Sequence, residues 1–450
     1  MGRFILSGTT QLSLLVAFAA CMQSALAQSY TLSLVARANA TGSSVFNLST
    51  GMTINDATPD VNDGGVAAFR VTTSTADFAT GIVLGNSAST RLVYTAPAGA
   101  IVSDPSINAG GRVVYGVQQG NGMRAYEVST QAEGLYSLGL PGTTAWEGTR
   151  TDNSGRTVYR ATVGGGRAID LYNPATGNTT RLVAQNTLDA SSPFNFIFNP
   201  AISANGTVAV KLQRGTSTSA DEVWVYPPGG ATPLRVAAET GAASPGVFTT
   251  IDNGVNVNDS GQVVFAGTLA STGQRGVYVV DGINPPRTIL DQANGFSIAL
   301  FTPDINNAGD VVFRGAGGNT AAIFVGDGSG IAQPLVVVGQ PIATDLGDTS
   351  FTGFLQNPRI SDAGQIVFGT TLAAGGRGIF VASLPASGCD TIDFNANGVF
   401  PEDQDVIDFF TVLAGGACSS CNDIDFNNNQ VFPEDQDVID FFTVLAGGEC

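Results

Sequence analysis

A glycine-centred motif recurs seven times between residues 54 and 370. In most copies an apolar residue is followed by Asn, Ser or Asp, two variable positions, Gly, any residue, and an apolar run that ends in an aromatic side chain. Successive glycines lie 44 to 55 residues apart, which leaves room for a small antiparallel sheet in each repeat. The glycines are Gly65, Gly111, Gly155, Gly206, Gly261, Gly309 and Gly364.

The chemistry around each glycine predicts a tight turn between two strands. An Asn or Asp side chain can bond to its own backbone, and glycine accepts a positive φ. The run after each turn, such as GQVVFAG, is rich in β-branched residues, and most repeats contain two further runs of this kind. With the strand that enters the turn, each repeat has four strands. We therefore expect an all-β fold, a seven-bladed β-propeller of seven repeats of about 50 residues over residues 28–384.

The first strand of the mature chain is expected to close this ring. The seventh repeat runs out before a fourth strand, whereas YTLSLVARA at residues 30–38 resembles the fourth-strand segments of other repeats. We predict that Tyr30–Ala36 pairs beside Gly378–Val381, because closure would leave no open sheet edge.

The seven copies in register resemble the bacterial tandem-repeat family named for its NxxGxxxF motif. The resemblance covers residues 30–384 and departs most in the third and fourth copies, which have Thr151 and Val210 at motif positions. It implies an exported protein with a C-terminal anchor, and it implies no defined activity.

Several acidic residues of the repeats are candidates for chemistry. The chain contains no histidine, which excludes a Ser-His-Asp or Cys-His pair and any His-ligated zinc or haem. The aspartates recur with the turns, which favours a structural role, and the Phe-rich stretches 191–201 and 243–254 are expected to pack between blades. The aspartates are Asp60, Asp104, Asp152, Asp304 and Asp362.

Residues 1–27 are typical of an export signal. Met1-Gly2-Arg3 gives a positive start, LSLLVAFAA an apolar stretch too short to span a bilayer, and Ala25-Leu26-Ala27 a small-x-small cleavage site. We expect an exported protein at the cell surface or outside the cell, with no transmembrane segment after signal removal. Lipidation at Cys21 is a weaker alternative, because Phe18 fits poorly three residues before it.

The acidity of the chain is concentrated in its tail. Residues 389–450 hold 13 Asp and Glu and no Lys or Arg, whereas the rest is nearly balanced. The chain lacks the basic footprint that nucleic-acid binding requires. A linker at 385–388 separates the repeats from this tail, and the four cysteines of the mature chain all lie within it.

The tail contains one loop–helix unit written twice. DFNANG at 393–398 matches the opening of a calcium loop, and DQDVIDFFTVL predicts a helix after it. Gln404 and Gln436 occupy the usual closing carboxylate position, so a neighbouring Asp must supply the last oxygen. Gln430 replaces the loop glycine in the second copy, which makes that site the poorer one. The alternative is an acidic helix start without metal. The predicted Ca²⁺ ligands are Asp393, Asn395, Asn397, Val399 and Asp403 or Asp405, then Asp425, Asn427, Asn429, Val431 and Asp435 or Asp437.

This duplicated unit resembles a dockerin, and more closely the dockerin-like anchor that begins at a Gly-Cys and ends at a terminal Cys. The resemblance covers residues 388–450 and implies a calcium-dependent attachment module with a cohesin-like or other cell-surface receptor as partner. Four cysteines allow three connectivities. Repeat symmetry favours Cys389–Cys418 and Cys421–Cys450.

The sequence therefore predicts an exported, non-enzymatic propeller scaffold that binds a polysaccharide or protein ligand and is attached by its tail. The alternative is a propeller hydrolase or lyase that acts on extracellular polysaccharide and carries the same tail. A cluster of acids outside the repeat pattern at the mouth of the ring would favour the enzyme.

Overall fold

The computed structural model describes most of the chain as two compact units, one containing Leu32–Ala382 and one containing the tail from Ser383. The larger unit is built from antiparallel strands, and the tail carries two helices. The described residues are 30–73, 80–96, 99–117, 123–127, 132–136, 143–215, 220–241, 246–294, 296–297, 302–317, 320–384, 389–427 and 435–448.

Four of the sheets contain four consecutive antiparallel strands each, with the strand that enters the glycine turn at one edge. Two single-turn 3-10 helices, Pro228–Gly230 and Gln292–Asn294, lie in connections. The strands are β8 (Ser106–Ile107), β9 (Arg112–Gly116), β10 (Met123–Glu127) and β11 (Ala132–Tyr136); β12 (Thr143–Thr151), β13 (Thr157–Val163), β14 (Gly166–Asn173) and β15 (Asn178–Ala184); β16 (Phe194–Ile202), β17 (Val208–Arg214), β18 (Asp221–Tyr226) and β19 (Leu234–Ala238); and β20 (Phe248–Val257), β21 (Val263–Leu269), β22 (Arg275–Val280) and β23 (Arg287–Asp291).

The remaining described strands form two five-stranded sheets and one seven-stranded sheet. The last sheet joins both ends of the larger unit, in the order β2-β1-β33-β32-β30-β29 with β31 also on β32. The strands are β3 (Met52–Ile54), β4 (Asp60–Val61), β5 (Ala67–Thr73), β6 (Thr80–Gly85) and β7 (Thr90–Thr95); β24 (Phe296–Ser297), β25 (Asp304–Ile305), β26 (Val311–Gly317), β27 (Thr320–Gly326) and β28 (Gln333–Val337); and β1 (Thr31–Ala38), β2 (Val45–Phe46), β29 (Pro341–Thr344), β30 (Gly347–Phe354), β31 (Arg359–Ile360), β32 (Ile366–Leu372) and β33 (Arg377–Ser383).

The all-β propeller fold is confirmed, but the prediction of a seven-bladed propeller built from seven four-stranded repeats and followed by a small α-helical domain is wrong. Only four of the sheets formed by described strands have the predicted four-stranded pattern, and the tail contributes only two short helices. In each irregular sheet the strand that enters the turn is broken into two pieces that pair with the same neighbour. The seven-stranded sheet also gains β1, β2 and β29, so a regular repeat in the sequence does not give equal sheets.

The glycine turns have the predicted local chemistry in every copy. In the fifth, Gly261 has φ 76° and donates its N–H to the carbonyl of Asn258 over 3.0 Å, while the Asn258 side-chain oxygen accepts the N–H of Gln262 over 3.1 Å. The positive φ explains why glycine is required there. The first residue of each turn accepts the same side-chain bond: Asn62, Asn108, Asp152, Ser203, Asn258, Asn306 and Ser361.

The apolar core lies between neighbouring sheets. One cluster combines Val223 and Val225 of β18 with three aromatic residues of the next sheet along the chain. These are Phe248 of β20, Phe265 of β21 and Tyr278 of β22. Phe248 lies edge-on to Phe265 and to Tyr278, with ring centroids 5.0 and 5.4 Å apart. Edge-to-face packing of this kind stabilises aromatic pairs beyond their buried area, so these rings hold adjacent sheets together.

The N-terminal strand joins the last sheet. β1 is hydrogen-bonded to β33 on one side and to β2 on the other. Arg37 of β1 is buried, and its guanidinium donates two 2.7 Å hydrogen bonds to the two carboxylate oxygens of Asp345, in the loop between β29 and β30. A two-pronged ion pair of this kind fixes the position of β1 on the sheet.

The tail unit is built around two helices of identical sequence, α1 (Asp403–Leu413) and α2 (Asp435–Leu445). Its core contains one phenylalanine from each loop and one from each helix, all fully buried. Phe409 and Phe441 stack at 4.2 Å, so the two copies pack through equivalent residues. The four rings are Phe394, Phe409, Phe426 and Phe441.

The predicted disulfide pairing is wrong. Cys418 is bonded to Cys421, only three residues away, so the link joins the end of one copy to the start of the next. Cys389 is also disulfide-bonded, and Cys450 lies outside the described residues. Repeat symmetry misled the prediction because the Cα atoms of Cys418 and Cys421 lie 5.4 Å apart, within normal disulfide reach.

In the described part of the chain, no helix is long and apolar enough to cross a membrane.

Replacing Asp345 with Asn should lower the free energy of unfolding by about 2 kcal/mol, because buried Arg37 would lose its charged partner. Arg37 lowers the pKa of Asp345 below 3.8 through its hydrogen bonds. The stabilisation is therefore complete above pH 3.8 and is lost as pH falls through the lower native pKa. Urea unfolding of the full chain measures it. Asp348→Asn, at an exposed acid in the same hairpin, is the control, and equal losses would contradict the prediction.

Candidate binding cavity at the propeller centre

Hydrogen bonds link most of the glycine turns to a turn of the next sheet around the central axis. The N–H of Asn205 donates to Asp259 over 2.7 Å, the N–H of Asp259 donates to Asn307 over 2.8 Å, and the N–H of Asn307 donates to Asp362 over 2.9 Å, each to a side-chain oxygen. The N–H of Ala363 donates to the side chain of Asp63, nearly 300 residues earlier, over 3.1 Å. These turns therefore form a polar ring that carries the closure of the propeller.

Two of the five candidate aspartates hold the next turn in place. Asp60 accepts the N–H of Ile107 over 3.0 Å, and Asp304 accepts the N–H of Ile360 over 3.0 Å and the guanidinium of Arg359 over 3.2 Å. Burial raises the pKa of Asp60, while Arg150 and Arg359 oppose that rise. Asp60 and Asp304 therefore connect neighbouring sheets beside the glycine turns.

The three other candidates also have local partners. Asp152 accepts the N–H and the guanidinium of Arg156, and Asp362 accepts the N–H of Asn307. Asp104 lies 3.3 Å from the guanidinium of Arg70. The structure does not bring the five carboxylates together as one catalytic cluster: Asp60, Asp304 and Asp362 line one cavity, and Asp104 lines another.

A small, acidic cavity of about 120 Å³ lies at the end of the central axis where the glycine turns meet. Burial raises the pKa of Asp362 to about 6; Asn307 opposes the rise, and Asp63, Asp259 and Asp304 add to it. Arg150, Asn256 and Arg359 line this cavity and also the larger one beyond it.

The other cavity is the larger, at about 640 Å³, and is lined by side chains from strands and connections of several sheets. A volume in this range is typical of small-molecule sites. Five arginines line it against two carboxylates, although the whole chain has a formal net charge of −18. The arginines are Arg70, Arg150, Arg160, Arg167 and Arg359.

Burial and nearby like charges lower the pKa of two of these arginines, Arg150 and Arg160. Burial, with Arg359 as the second cause, lowers the pKa of Arg150 to about 10, while Asp60, Asp104 and Asp304 oppose the fall. Burial lowers the pKa of Arg160 to about 10, with Arg167 as the second cause. Arg150 and Arg160 thus share one partly desolvated cavity with the like charges of Arg359 and Arg167, and a bound anion would offset that repulsion.

Four of the five guanidinium groups keep an N–H that is buried and has no hydrogen-bond partner among the described residues. Such a donor is costly to leave unmet, because it has lost its contact with water. The atoms are Nε of Arg70, Nε of Arg160, Nη1 of Arg167 and Nε of Arg359.

The two carboxylates of this cavity are each paired with an arginine. Glu147 forms an ion pair with Arg160, and Asp104 with Arg70. Arg70 also donates to the carbonyl of Val102 over 2.7 Å. Both acids therefore position arginines.

Aromatic side chains form part of the wall, which corrects the expectation that residues 191–201 only pack between blades. Phe194 is buried in the core, but Phe196 and Phe198 line the cavity with ring centroids 4.8 Å apart. The guanidinium of Arg167 lies 4.1 Å from the ring centre of Phe196, and the ammonium of Lys211 lies 4.4 Å from that of Phe198.

In the tail, the first predicted calcium loop has the turn expected from its sequence. Asp393 accepts the N–H groups of Asn397 and Gly398 over 2.9 and 2.8 Å, and Gly398 has φ 82°. Asn397 accepts the N–H of Val399 over 2.7 Å. The side chains of Asp393, Asn395 and Asn397 thus belong to one tight loop.

The structure places the two candidates for the closing oxygen differently. Asp403 is exposed, whereas Asp405 is fully buried and accepts the N–H groups of Phe394 and Glu402, which caps the start of α1. Two carboxylates reach the loop: Glu402 accepts the side-chain N–H of Asn397 over 2.5 Å, and Asp408, one turn further along α1, accepts that of Asn395 over 2.9 Å. Sequence reasoning missed Asp408 because it lies four residues beyond the usual closing position.

The second loop repeats this arrangement where it is described. Asp440 bonds Asn427 over 2.9 Å, Asp437 is buried like Asp405, and Asp435 is exposed like Asp403. Asp425 is nearly buried, and Asn429 and Val431 lie outside the described residues. In the ranges that the structure describes, no three acidic, cysteine or histidine side chains are grouped as a metal site would need. The oxygen donors of each copy are instead carboxylates and amides together.

A family model for DUF7453, described as a family of unknown function, matches residues 151–433, well over half of the sequence. The chain belongs to this family. No curated protein matches its sequence.

Solved structures similar to this DUF7453 chain include several propellers and enzymes. The β-propeller domain of the trilobed protease from Pyrococcus furiosus is 11% identical, with a TM-score of 0.51 over 73% of this chain and 95% of that one. Oligogalacturonate lyase in complex with manganese is 13% identical, with a TM-score of 0.50 over 79% and 98%. TolB from Acinetobacter baumannii is 12% identical, with a TM-score of 0.39 over 59% of this chain and 62% of TolB, less than two thirds of its length. At these identities the similarity concerns the fold alone.

Replacing Asp362 with Asn should stabilise this DUF7453 protein at neutral pH by about 1 kcal/mol, after allowance for partial solvent exposure. The variant keeps an acceptor for Asn307 and removes a charge whose pKa is raised to about 6. Because its pKa is raised, the carboxyl group of Asp362 binds a proton below about pH 6 in the native state. In the unfolded state it binds that proton only below about pH 3.8. The gain should therefore be full above pH 6 and vanish as pH falls to 3.8. Unfolding from pH 4 to 8 tests this, and a gain that is the same at every pH would contradict it.

Proposed function

We propose that this protein is an exported, non-enzymatic propeller that binds a ligand in its 640 Å³ central cavity and is attached to the cell envelope through its C-terminal tail. The observation that carries the proposal is the cavity itself, with its five arginines and four unmet N–H groups. Buried donors without partners are costly for a folded protein, so their presence favours a site that a ligand completes.

The pairing of the cavity carboxylates supports binding over catalysis. A general acid or base must reach its substrate with a free carboxyl or carboxylate. Glu147 and Asp104 are engaged by Arg160 and Arg70, and Asp60 and Asp304 hold the turns of the next sheets. The expected marker of an enzyme was an acid cluster outside the repeat pattern, whereas the mouth is rich in arginine.

Exposed apolar residues support the tail as an attachment unit. The two helices expose equivalent side chains, Ile407 with Phe410 and Ile439 with Phe442, each between 42% and 55% exposed. The rings of Phe410 and Phe442 lie 6.1 Å apart, so the exposed residues of both copies meet. A paired apolar surface on so small a unit fits a protein receptor, cohesin-like or of another kind.

Calcium would be held in the tail by the oxygens that the loops bring together. Asp393, Asn395, Asn397 and Asp408 offer carboxylate and amide oxygens, and the Val399 carbonyl can add another. This donor set suits a hard cation. The ion would fix the loop that orients the start of α1. The second loop offers Asp425, Asn427 and Asp440.

A lyase or hydrolase that acts on extracellular polysaccharide is the second candidate, because an arginine-lined cavity also suits an acidic substrate. The similarity to oligogalacturonate lyase concerns the fold and transfers no activity. This candidate requires that one of the paired carboxylates be released when substrate binds.

A panel of oligosaccharides and peptides, each incubated with the full mature chain, separates the two functions. Trp146 lines the cavity, so its fluorescence should change when a ligand enters. We expect at least one ligand class to bind without formation of reducing ends or unsaturated sugar ends. Turnover above the protein-free blank would establish the enzyme instead. Absence of binding by every class would remove the cavity as a ligand site.

Replacing Asp408 with Asn should weaken calcium binding by about tenfold, because it removes one of the three carboxylates, Asp393, Glu402 and Asp408, that contact the first loop. Asp403→Asn removes the same charge from an exposed position of the same helix and should have little effect. Isothermal titration of the full chain with calcium, before and after chelator treatment, measures both. Equal affinity in the two variants would exclude Asp408 as a ligand, and no calcium uptake by the unmodified chain would exclude the metal.

A further inference from the structure

We infer that the central cavity binds an acidic oligosaccharide, whose carboxylates pair with the arginines while its sugar rings lie on the aromatic part of the wall. This inference names the ligand class and rests on the proposed function of the cavity as a ligand site. It depends on three independent features: the charge of the lining, the unmet donors, and the mixture of aromatic and neutral polar side chains.

The charge of the lining selects for anions. Five arginines face two carboxylates in this cavity, whereas the chain as a whole is strongly acidic. Arg150 lies near Arg359 and Arg160 near Arg167, and all four are at least partly removed from water. Like charges brought together in a partly desolvated cavity repel each other, and a bound anion between them relieves that repulsion. The cavity is therefore built for a negative ligand.

The geometry of the donors indicates carboxylates at more than one position. A guanidinium presents its N–H groups as a planar fork that matches a carboxylate. The unmet N–H groups belong to Arg70 on β5, to Arg160 and Arg167 on β13 and β14, and to Arg359 on β31, so they come from three different sheets. One small anion contacts only part of such a set. An extended ligand with repeated acidic groups can contact arginines of all three sheets.

The rest of the wall favours a saccharide as the carrier of those groups. Phe196 and Phe198 are half-buried and offer apolar surface to the C–H faces of sugar rings. Neutral side chains between the arginines can bond hydroxyl groups; they are Thr58, Ser103, Asn199, Asn253, Thr302 and Asn357. The volume is sufficient for a short oligomer.

The test uses the fluorescence of Trp146 in the full mature chain that carries Trp224→Phe. The chain has two tryptophans, and Trp224 packs against Phe194 away from the cavity lining, so this substitution leaves a cavity reporter. The probes are a short galacturonate oligomer, its fully methyl-esterified form, a sulfated oligosaccharide of equal length and an acidic peptide. We expect the galacturonate oligomer to bind and its ester to bind at least about tenfold more weakly, because hydrogen bonds to charged groups are the strong ones.

Two substitutions check that the arginines are responsible. Arg167→Gln should weaken binding of the acidic oligomer by about tenfold and reduce its dependence on salt. Arg287→Gln removes the same charge from β23, away from the cavity, and should leave affinity within about twofold. Should Arg167→Gln unfold, the salt dependence of the chain with only Trp224→Phe still decides, because affinity for an acidic ligand must fall as ionic strength rises.

Each outcome separates the ligand class from the cavity function. Binding of the sulfated oligomer at or above the uronate supports an acidic oligosaccharide but overturns the assignment of carboxylates as its acidic groups. Equal binding of the ester, tighter binding of the peptide, or affinity that is independent of salt overturns the inference and leaves the cavity as a ligand site. If the fluorescence of Trp146 does not change with any of the four probes or with the wider panel, both the acidic ligand class and the function of the cavity as a ligand site are overturned.

Discussion

The fold depends on one hydrogen-bonding device, the glycine turn whose polar side chains bond both their own strand and a neighbouring turn. The first residue of each turn accepts an N–H four positions later, which makes the turn independent of the rest of the protein. Side chains such as Asp259, Asn307 and Asp362 accept the N–H of a turn in an adjacent sheet. Turns that form locally are thus connected into a ring of hydrogen bonds. Asp63 extends that ring across the junction between the two ends of the propeller, because it accepts the N–H of Ala363.

What the sequence could predict follows from this distinction between local and distant bonds. The turns, their glycines and the strands beside them depend on neighbours within a few residues, so their pattern is visible in the motif. The sheet composition is not visible there, because two-residue strands such as β4, β25 and β31 exist only through the strand they pair with. The same reason applies to Cys418–Cys421, since symmetry of the repeats does not report which sulfurs meet.

The candidate site was harder to predict than the fold. Its arginines lie between Arg70 and Arg359, in different repeats and at different motif positions, so no stretch of sequence looks basic. Their number is also unremarkable in a chain that is near neutral outside its tail. They converge because the ring brings strands of several different sheets to one central cavity. Phe196 and Phe198 were assigned to packing for a related reason: alternation puts them on the same face as buried Phe194, and the register shifts of β16 at Phe194/Phe196 and Ile197/Pro200 cannot be read from the sequence.

The acids of the ring and the arginines of the cavity also support each other. Asp304 holds the N–H of Ile360 and the guanidinium of Arg359 at the same time, so one carboxylate fixes a turn and a cavity cation. Asp60 likewise bonds the next sheet and lies among Arg150, Arg359 and Asp304. Burying the arginines without these counter-charges would be costly, because a desolvated cation needs a nearby anion. The ring therefore makes the basic cavity possible, and a ligand carboxylate would complete on the open side what Asp60 and Asp304 supply from the turn side.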